Sequence, residues 1–392
     1  MSDPLVIGLV AGESSGDTLG AALLEALRER VGAVRAFGVA GPKMRAAGCE
    51  VWADSHELAV MGLIEPLAHL PRLFALRRRL LQDMVRRRPD VFVGIDAPAF
   101  NVGLEAKLRA QGIPTVQYVS PQVWAWRQGR VRSIAAACDL VLCLFPFETE
   151  FYSQHGVRAQ FVGHPLADQI PLDTDRGLAR EALGLAPQAT VIALLPGSRL
   201  GEVRRLGEDF LRAALWLQAQ RPDLTFIAPM ASPGAREVFA AQRARLAPGL
   251  ALQLVDGHAQ QALIAANAVL VASGTATLEA LLTRRPMVVA YRFSALTAFL
   301  LRRLGLVKVT HFSQPNLLTG KSLVPEFVQE QVNGPALGQA LLKQLTDRAA
   351  RQVLQDEFLK VHRQLRVGAA DRAAAAILDL LNERRVSRAL PL

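Results

Sequence analysis

Short apolar runs rich in β-branched residues alternate with amphipathic stretches along almost the whole chain. Residues 5–10, 91–95, 115–119, 140–144, 160–162, 191–195, 225–229, 268–272 and 287–291 read as strands. Helical spacing appears at 18–30, 104–111, 206–221, 236–246, 277–282 and 337–345. These strand runs do not alternate with polar residues, so both of their faces must be covered, and parallel strands need a crossover helix between them. The expected class is therefore α/β, with parallel sheets sandwiched by helices. At 392 residues one such sheet is not enough, and two domains are expected. The pattern loosens between Gly163 and Ala189, where Pro165, Pro171, Asp173, Asp175 and Pro187 interrupt it. We read a first domain over 1–170, a second over 185–345, and an Ala-rich helical tail over 346–392 that folds back on the first domain.

Composition narrows the function classes. Hydrophobic residues make up 51% of the chain and charged ones 20%, which excludes disorder for the bulk of it. A formal charge of +10 favours anionic partners: nucleic acid, acidic lipid or phosphorylated substrates. Cys49, Cys138 and Cys143 show no paired or metal-type spacing, so three core thiols in a reducing compartment are expected. The start, Met1-Ser2-Asp3-Pro4, lacks the pattern of a signal peptide. The uncharged stretch 261–278 is broken by Asn, Ser, Gly and Thr, and no transmembrane helix is expected. The seven histidines are scattered, and neither a metal centre nor a serine hydrolase triad is expected from them.

In open α/β sheets ligands sit beyond the C-terminal ends of the strands, so the residues there carry the chemistry. After the first strand comes Gly12-Glu13-Ser14-Ser15-Gly16-Asp17, which reads either as an anion or sugar site at a helix start or as a plain N-cap. The run 91–95 ends in Asp96-Ala97-Pro98, where Asp96 reads as a general base for a hydroxyl nucleophile, or else as a turn cap. Asn101 lies close enough to orient it or to bind substrate. Ser120, Gln122, Trp124 and Trp126 follow another strand, and two indoles in a polar loop suit a sugar or acyl platform.

In the second half, Pro196-Gly197-Ser198-Arg199 places an arginine where it can grip a diphosphate. Ser273-Gly274-Thr275-Ala276-Thr277, with Glu279 one turn on, offers backbone N–H groups for phosphate and a carboxylate for a sugar diol; a capping box is the alternative. Two anion turns in one domain point to a nucleotide. The stretch from Met61 to Arg88 differs from the rest, with many large apolar residues interleaved with seven arginines. It reads as a membrane-surface element, against the alternative of a core helix with a solvated face.

Taken in order, these motifs resemble the lipid-A-disaccharide synthases, bacterial glycosyltransferases with two Rossmann-like domains of the GT-B type facing a central cleft. The resemblance rests on Ala11–Asp17, Val39-Ala40-Gly41-Pro42-Lys43-Met44, Glu57-Leu58-Ala59-Val60-Met61-Gly62 and Gly94-Ile95-Asp96-Ala97-Pro98. It continues through Val119-Ser120-Pro121-Gln122-Val123-Trp124-Ala125-Trp126-Arg127, Leu195–Arg199, Ala272–Glu279 and Gln314-Pro315-Asn316-Leu317-Leu318. A departure is Ala99, where the family carries an acidic residue.

The resemblance implies transfer of 2,3-diacylglucosamine from UDP-2,3-diacylglucosamine to 2,3-diacylglucosamine 1-phosphate with inversion, giving a β-1,6-linked disaccharide 1-phosphate and UDP. It implies Asp96 and Arg199 as catalytic residues, and Gly197, Ser198, Arg199, Ser273, Gly274, Thr275, Thr277 and Glu279 as the UDP site. Glu13, Ser14, Ser15, Gly16, Asn101, Ser120, Gln122, Trp124, Trp126 and Asn316 are the implied substrate residues. No metal, cofactor or nucleic acid is expected. The expected setting is the inner face of a Gram-negative cytoplasmic membrane, and the family suggests a homodimer.

Overall fold

The computed structural model describes residues 3–59, 66–124, 128–293 and 311–389. Its contacts divide the chain into two compact units, 1–168 with 365–392, and 169–364. Trp126 and most of the Trp motif's end lie outside the described residues, as do residues 61–65.

The first unit is built on seven parallel strands: β1 (Leu5–Ala11), β2 (Val34–Ala40), β3 (Cys49–Asp54), β4 (Val91–Ile95), β5 (Thr115–Tyr118), β6 (Leu140–Cys143) and β7 (Ala159–Phe161). Their order is β3-β2-β1-β4-β5-β6-β7, so the direction of winding reverses between β1 and β4. The second unit repeats the plan with β8 (Thr190–Leu195), β9 (Leu224–Met230), β10 (Leu252–Asp256), β11 (Ala268–Ala272), β12 (Met287–Tyr291) and β13 (Glu326–Val328). Their order is β10-β9-β8-β11-β12-β13, with the reversal between β8 and β11. Ligand crevices of such sheets lie at these reversals, beyond the strand C-termini.

Central strands such as β4 and β11 are buried at every position. The sequence pattern passes over β2, β3, β10 and β13. The last three have a neighbour on one side only and mix exposed or polar positions into their runs, which dilutes the apolar signal, whereas β2 is internal and its run is broken by Arg35 and Gly38.

The helical tail is shared between the units. The helix Arg348–Leu365 lies in the second unit apart from its last residue, whereas Ala369–Ala389 packs along the helix Glu13–Val31 of the first. Asp168 starts this last helix by accepting from Gly368 N at 3.0 Å and Ala369 N at 2.7 Å. Arg158 pairs with Glu383, and Arg384 with Asp139, to hold its far end.

The basic stretch forms a helix, Pro66–Arg87, and its apolar residues are less available than the composition suggests. Leu73, Leu76, Leu80 and Met84 are buried in one cluster with Phe92, Phe100 and Leu104. Among the side chains described on this helix, Phe74, at 59% exposure, is a large apolar one that faces solvent, flanked by exposed Arg72, Arg78 and Arg79. Among the residues whose side chains are described, from Pro71 on, most of the apolar residues face the core, because one stripe of the helix covers the sheet. No described helix is long and apolar enough to cross a membrane.

Candidate functional site

The loops that follow β1 and β4 meet at the reversal point of the first sheet. Gly12 lies so close to Ala97 that a Cβ on it would come within 2.6 Å of the Ala97 Cβ, so only glycine fits there. Around this contact the backbone is strained. Glu13 (φ 61°), Asp96 (54°), Ala97 (42°) and Val119 (76°) all adopt left-handed conformations, each within two residues of the end of β1, β4 or β5. Such conformations cost roughly 1–3 kcal/mol each and persist only where surrounding bonds over-determine them.

Those bonds are present. Asp96 N donates to Tyr118 O at 2.8 Å, and Val119 N to Leu142 O at 3.2 Å. The Asp96 carbonyl accepts from Asn101 Nδ2 at 2.8 Å and Gln117 Nε2 at 3.1 Å, and Gln117 also donates to Val119 O at 3.2 Å. Asn101 is fully buried, with a second bond to Val10 O. It therefore holds the Asp96 turn through both of its N–H groups, while its Oδ1 has no hydrogen-bond partner. Gln117 does the same work and escaped the sequence reading. A glutamine inside the apolar run Thr115-Val116-Gln117-Tyr118 was its signal.

The Asp96 carboxyl is raised above its ordinary pKa by burial, offset by a hydrogen bond from Ala97 N, with the Glu13 charge adding to the rise. A half-buried carboxylate beside a second carboxylate is a stronger proton acceptor than a free one. Opposite it, the helix Glu13–Val31 begins without a side-chain cap at Gly12. The N–H groups of Glu13, Ser14 and Ser15, in the first turn of that helix, have no hydrogen-bond partner among the described residues. Glu13, Ser14 and Ser15 are exposed, while Gly16 is buried against Ala11 and Ile95 and serves close packing of helix on strand.

Gly12-Glu13-Ser14-Ser15-Gly16 also has the Gly-x-Ser-x-Gly spacing of a hydrolase elbow, yet its strained residue is Glu13, and Ser14 has no histidine hydrogen-bonded to it among the described residues. Asp17 faces away from this edge and caps the neighbouring turn, accepting from Gly41 N, Lys43 N and Met44 N at 2.9 Å each.

The loop after β5 is anchored from below. Ser120 is buried and bonded to Tyr152 Oη at 3.3 Å, and Trp124 Nε1 donates to Glu148 Oε1 at 3.3 Å. Glu148 is itself buried; burial pushes its carboxyl up to about 7, against hydrogen bonds from Phe145 N, Ser120 and Trp124. Ser120 and Trp124 are thus tied into this network and shape the loop. Gln122 is exposed beside them.

In the second unit the two expected anion turns have different fates. After β8, the Glu202 carboxylate already occupies the Pro196–Arg199 turn, accepting from Ser198 N at 3.0 Å and Arg199 N at 3.3 Å. The amides of Ser198 and Arg199 are therefore already engaged in this turn. The Arg199 side chain is exposed and makes no hydrogen bond or ion pair among the described residues.

After β11 the amides of Gly274, Thr275 and Ala276 carry no partner among the described residues, at the start of the helix Thr275–Leu282. Gly274 has φ 152°, which L side chains rarely adopt, and no atom approaches where a Cβ would stand. Glu279, half-buried one turn along, has its carboxyl raised by burial. Ser273 Oγ donates to Phe312 O at 2.6 Å, and buried Thr277 donates to Gly274 O at 2.8 Å, so both shape the turn.

Asn316, expected to meet substrate, is 1% exposed and fully engaged. Its Nδ2 donates to Val324 O and to Glu326 Oε1, and its Oδ1 accepts from Val324 N. Glu326 also accepts from Phe312 N and Ser313 N, so this pair organises the loop at 311–316. Among the described residues no three His, Cys, Asp or Glu are grouped as metal ligands.

The sequence profile of the lipid-A-disaccharide synthetase family matches residues 7–377. A lipid-A-disaccharide synthase of Xanthomonas campestris pv. campestris is 48% identical over 381 residues, covering 97% of this chain and 87% of that one. One from Pectobacterium carotovorum is 48% identical over 383 residues, covering 98% of this chain and all of that one.

Among solved structures, a UDP-GlcNAc 2-epimerase from Neisseria meningitidis bound to UDP-GlcNAc superposes with a TM-score of 0.63 at 11% identity, over 97% of this chain and 100% of that one. The glycotransferase of kitacinnamycin gives 0.60 at 17% identity, over 96% and 99%. Those structures share the fold, and fold alone does not separate epimerase from transferase. The sequence relatives do: the chain belongs to the lipid-A-disaccharide synthetase family.

Proposed function

We propose that the chain moves 2,3-diacylglucosamine from its UDP carrier to 2,3-diacylglucosamine 1-phosphate in one inverting step. Family membership makes it a hexosyltransferase of lipid A synthesis. The observation that carries the finer reading is Asp96, held in a strained, doubly anchored turn at the reversal point of the first sheet. Its carboxylate takes the proton of the acceptor hydroxyl as that oxygen attacks the anomeric carbon. The bond from that carbon to the diphosphate breaks on the opposite face, and UDP leaves with the electron pair.

Unpartnered amides beside two carboxylates, Glu13 and Asp96, favour sugar hydroxyls over an anion, because a phosphate there would meet like charge. In the second unit, the free amides of Gly274, Thr275 and Ala276 suit the diphosphate, Glu279 the ribose diol, and Arg199 the charge that grows on the departing UDP. Incubating the protein with both sugars and following the products by mass spectrometry tests the reading. A tetra-acylated disaccharide 1-phosphate with stoichiometric UDP is expected, and UDP release without disaccharide would refute it.

We further propose that the enzyme works at the inner face of the cytoplasmic membrane, through Phe74 and the arginines around it on the helix Pro66–Arg87. A basic residue near an anionic surface contributes about 1 kcal/mol. The Phe74→Ser/Arg78→Glu double variant is therefore expected to co-sediment with phosphatidylglycerol vesicles about tenfold less than wild type. Leu76→Ser, in the buried stripe, is expected to lower stability instead. Unchanged partitioning of the double variant would remove this surface from consideration.

A further inference from the structure

Beside the Asp96 turn the first unit holds a pocket of about 390 Å³ that none of the assigned roles uses. Small-molecule sites run from roughly 300 to 1,000 Å³, so the space suits a ligand or a large part of one. Two segments already tied to the chemistry form its walls. Pro98 and Val102 come from the helix that starts two residues after Asp96, and Pro121 and Val123 follow the strained Val119. Ile134 closes the far side. The walls are mainly apolar, and the polar residues lining the pocket, Gln122, Arg130 and Ser133, are all exposed. The Arg130 guanidinium has no carboxylate within ion-pair distance among the described residues.

A sugar ring or a base would find no polar partner along the walls formed by the side chains of Pro98, Val102, Pro121, Val123 and Ile134, and only Gln122, Arg130 and Ser133 offer any. A saturated chain has no polar group to satisfy, and a negative head group at its end would lie where Arg130 can meet it. We propose that this pocket receives one fatty acyl chain of the acceptor sugar, with Arg130 meeting the acceptor's phosphate. The proposal rests on the reading of Asp96 as the acceptor's base, since the pocket opens next to that residue. It gives the first unit a means of measuring acyl chains as well as binding the sugar.

Dodecyl phosphate, titrated below its micelle-forming concentration into the full-length protein and followed by calorimetry, tests the site without turnover. Wild type is expected to bind it, whereas butyl phosphate, lacking the chain, binds at least tenfold more weakly. Ser133→Trp places an indole in the mouth from a solvent-facing position, so folding is spared, and at least a tenfold loss is expected. Val102→Phe fills the space from the opposite wall with the same outcome, and Arg130→Gln weakens dodecyl phosphate while leaving dodecyl maltoside unchanged.

In turnover, each methylene removed from the acyl chain that the pocket holds is expected to lower kcat/KM about fourfold in wild type, the worth of one buried CH₂, and less in Ser133→Trp. Equal binding of dodecyl phosphate by wild type, Ser133→Trp and Val102→Phe overturns the pocket, whatever the turnover shows. Displacement by phosphatidylglycerol vesicles but not by the acceptor would also overturn it, in favour of a membrane lipid. Absence of disaccharide with wild type refutes the transferase reading, and the titration still decides the pocket.

Discussion

Replacing Asp96 by asparagine is expected to lower turnover by about 100- to 10,000-fold, the range that a positioned general base contributes. UDP affinity should stay within about twofold, because the groups proposed to hold the nucleotide belong to the other unit. Asparagine is the informative exchange. It keeps the size of the side chain and, unlike most residues, tolerates the left-handed backbone recorded at φ 54°. The backbone carbonyl that Asn101 and Gln117 hold is untouched, so the turn should persist.

Wild-type kcat/KM should also fall on the acid side. A base must be unprotonated to work, and burial with the neighbouring Glu13 raises the pKa of Asp96, so the decline sets in at a higher pH than for a free aspartate. Near-wild-type turnover of Asp96→Asn, measured with both substrates saturating, would remove Asp96 from the role.

Asp17→Ala is expected to destabilise the first unit by about 4 kcal/mol, since it removes three hydrogen bonds from a 2%-exposed carboxylate to backbone amides. In a unit of this size that corresponds to a fall of roughly 10 °C in its melting temperature. The cause is local. Gly41, Lys43 and Met44 begin the short helix Pro42–Ala46, whose own N-cap residue is a glycine with no side chain to satisfy them. Asp17 reaches across to do so, and a Cβ on Gly41 would lie within 2.6 Å of its carboxylate. Asp17→Asn should recover part of the loss, as its oxygen can still accept. Thermal unfolding followed by circular dichroism measures this, and an Asp17→Ala melting temperature within a degree or two of wild type would contradict it.

Asp17 also shows where motif reading reaches its limit. It stands in the same Gly12–Asp17 turn as Glu13, and the string of letters treats the two alike. One turn of helix separates them: Glu13 stays exposed at the open end beside Asp96, and Asp17 points into the next loop. The two glycine turns of the second unit diverge in the same way. Pro196–Arg199 has a glutamate three residues on that folds back over its amides, whereas the residues after Gly274 leave theirs open. A carboxylate three residues after a turn is a common helix feature, and no pattern tells whether it caps its own turn or waits for a ligand.

What the sequence determined by itself is the α/β class, the two domains, and the set of loops in which chemistry had to lie. Those follow from hydrophobic periodicity and from strand ends, which are local properties of the chain. It also determined the family, through motifs spread over nearly its full length. Only the tertiary structure decided which residue of each motif is buried in the frame and which stays exposed. Asn101, Ser120, Thr277 and Asn316 have the polar chemistry of binding residues, yet all four are buried and spend it on backbone or on neighbouring side chains. A buried polar group is normally paired, and the partner lies 91 residues away in sequence for the bond of Asn101 to Val10 O and 10 for that of Asn316 to Glu326. Such pairings exist only once the sheets have brought distant strand ends together, so no local pattern encodes them.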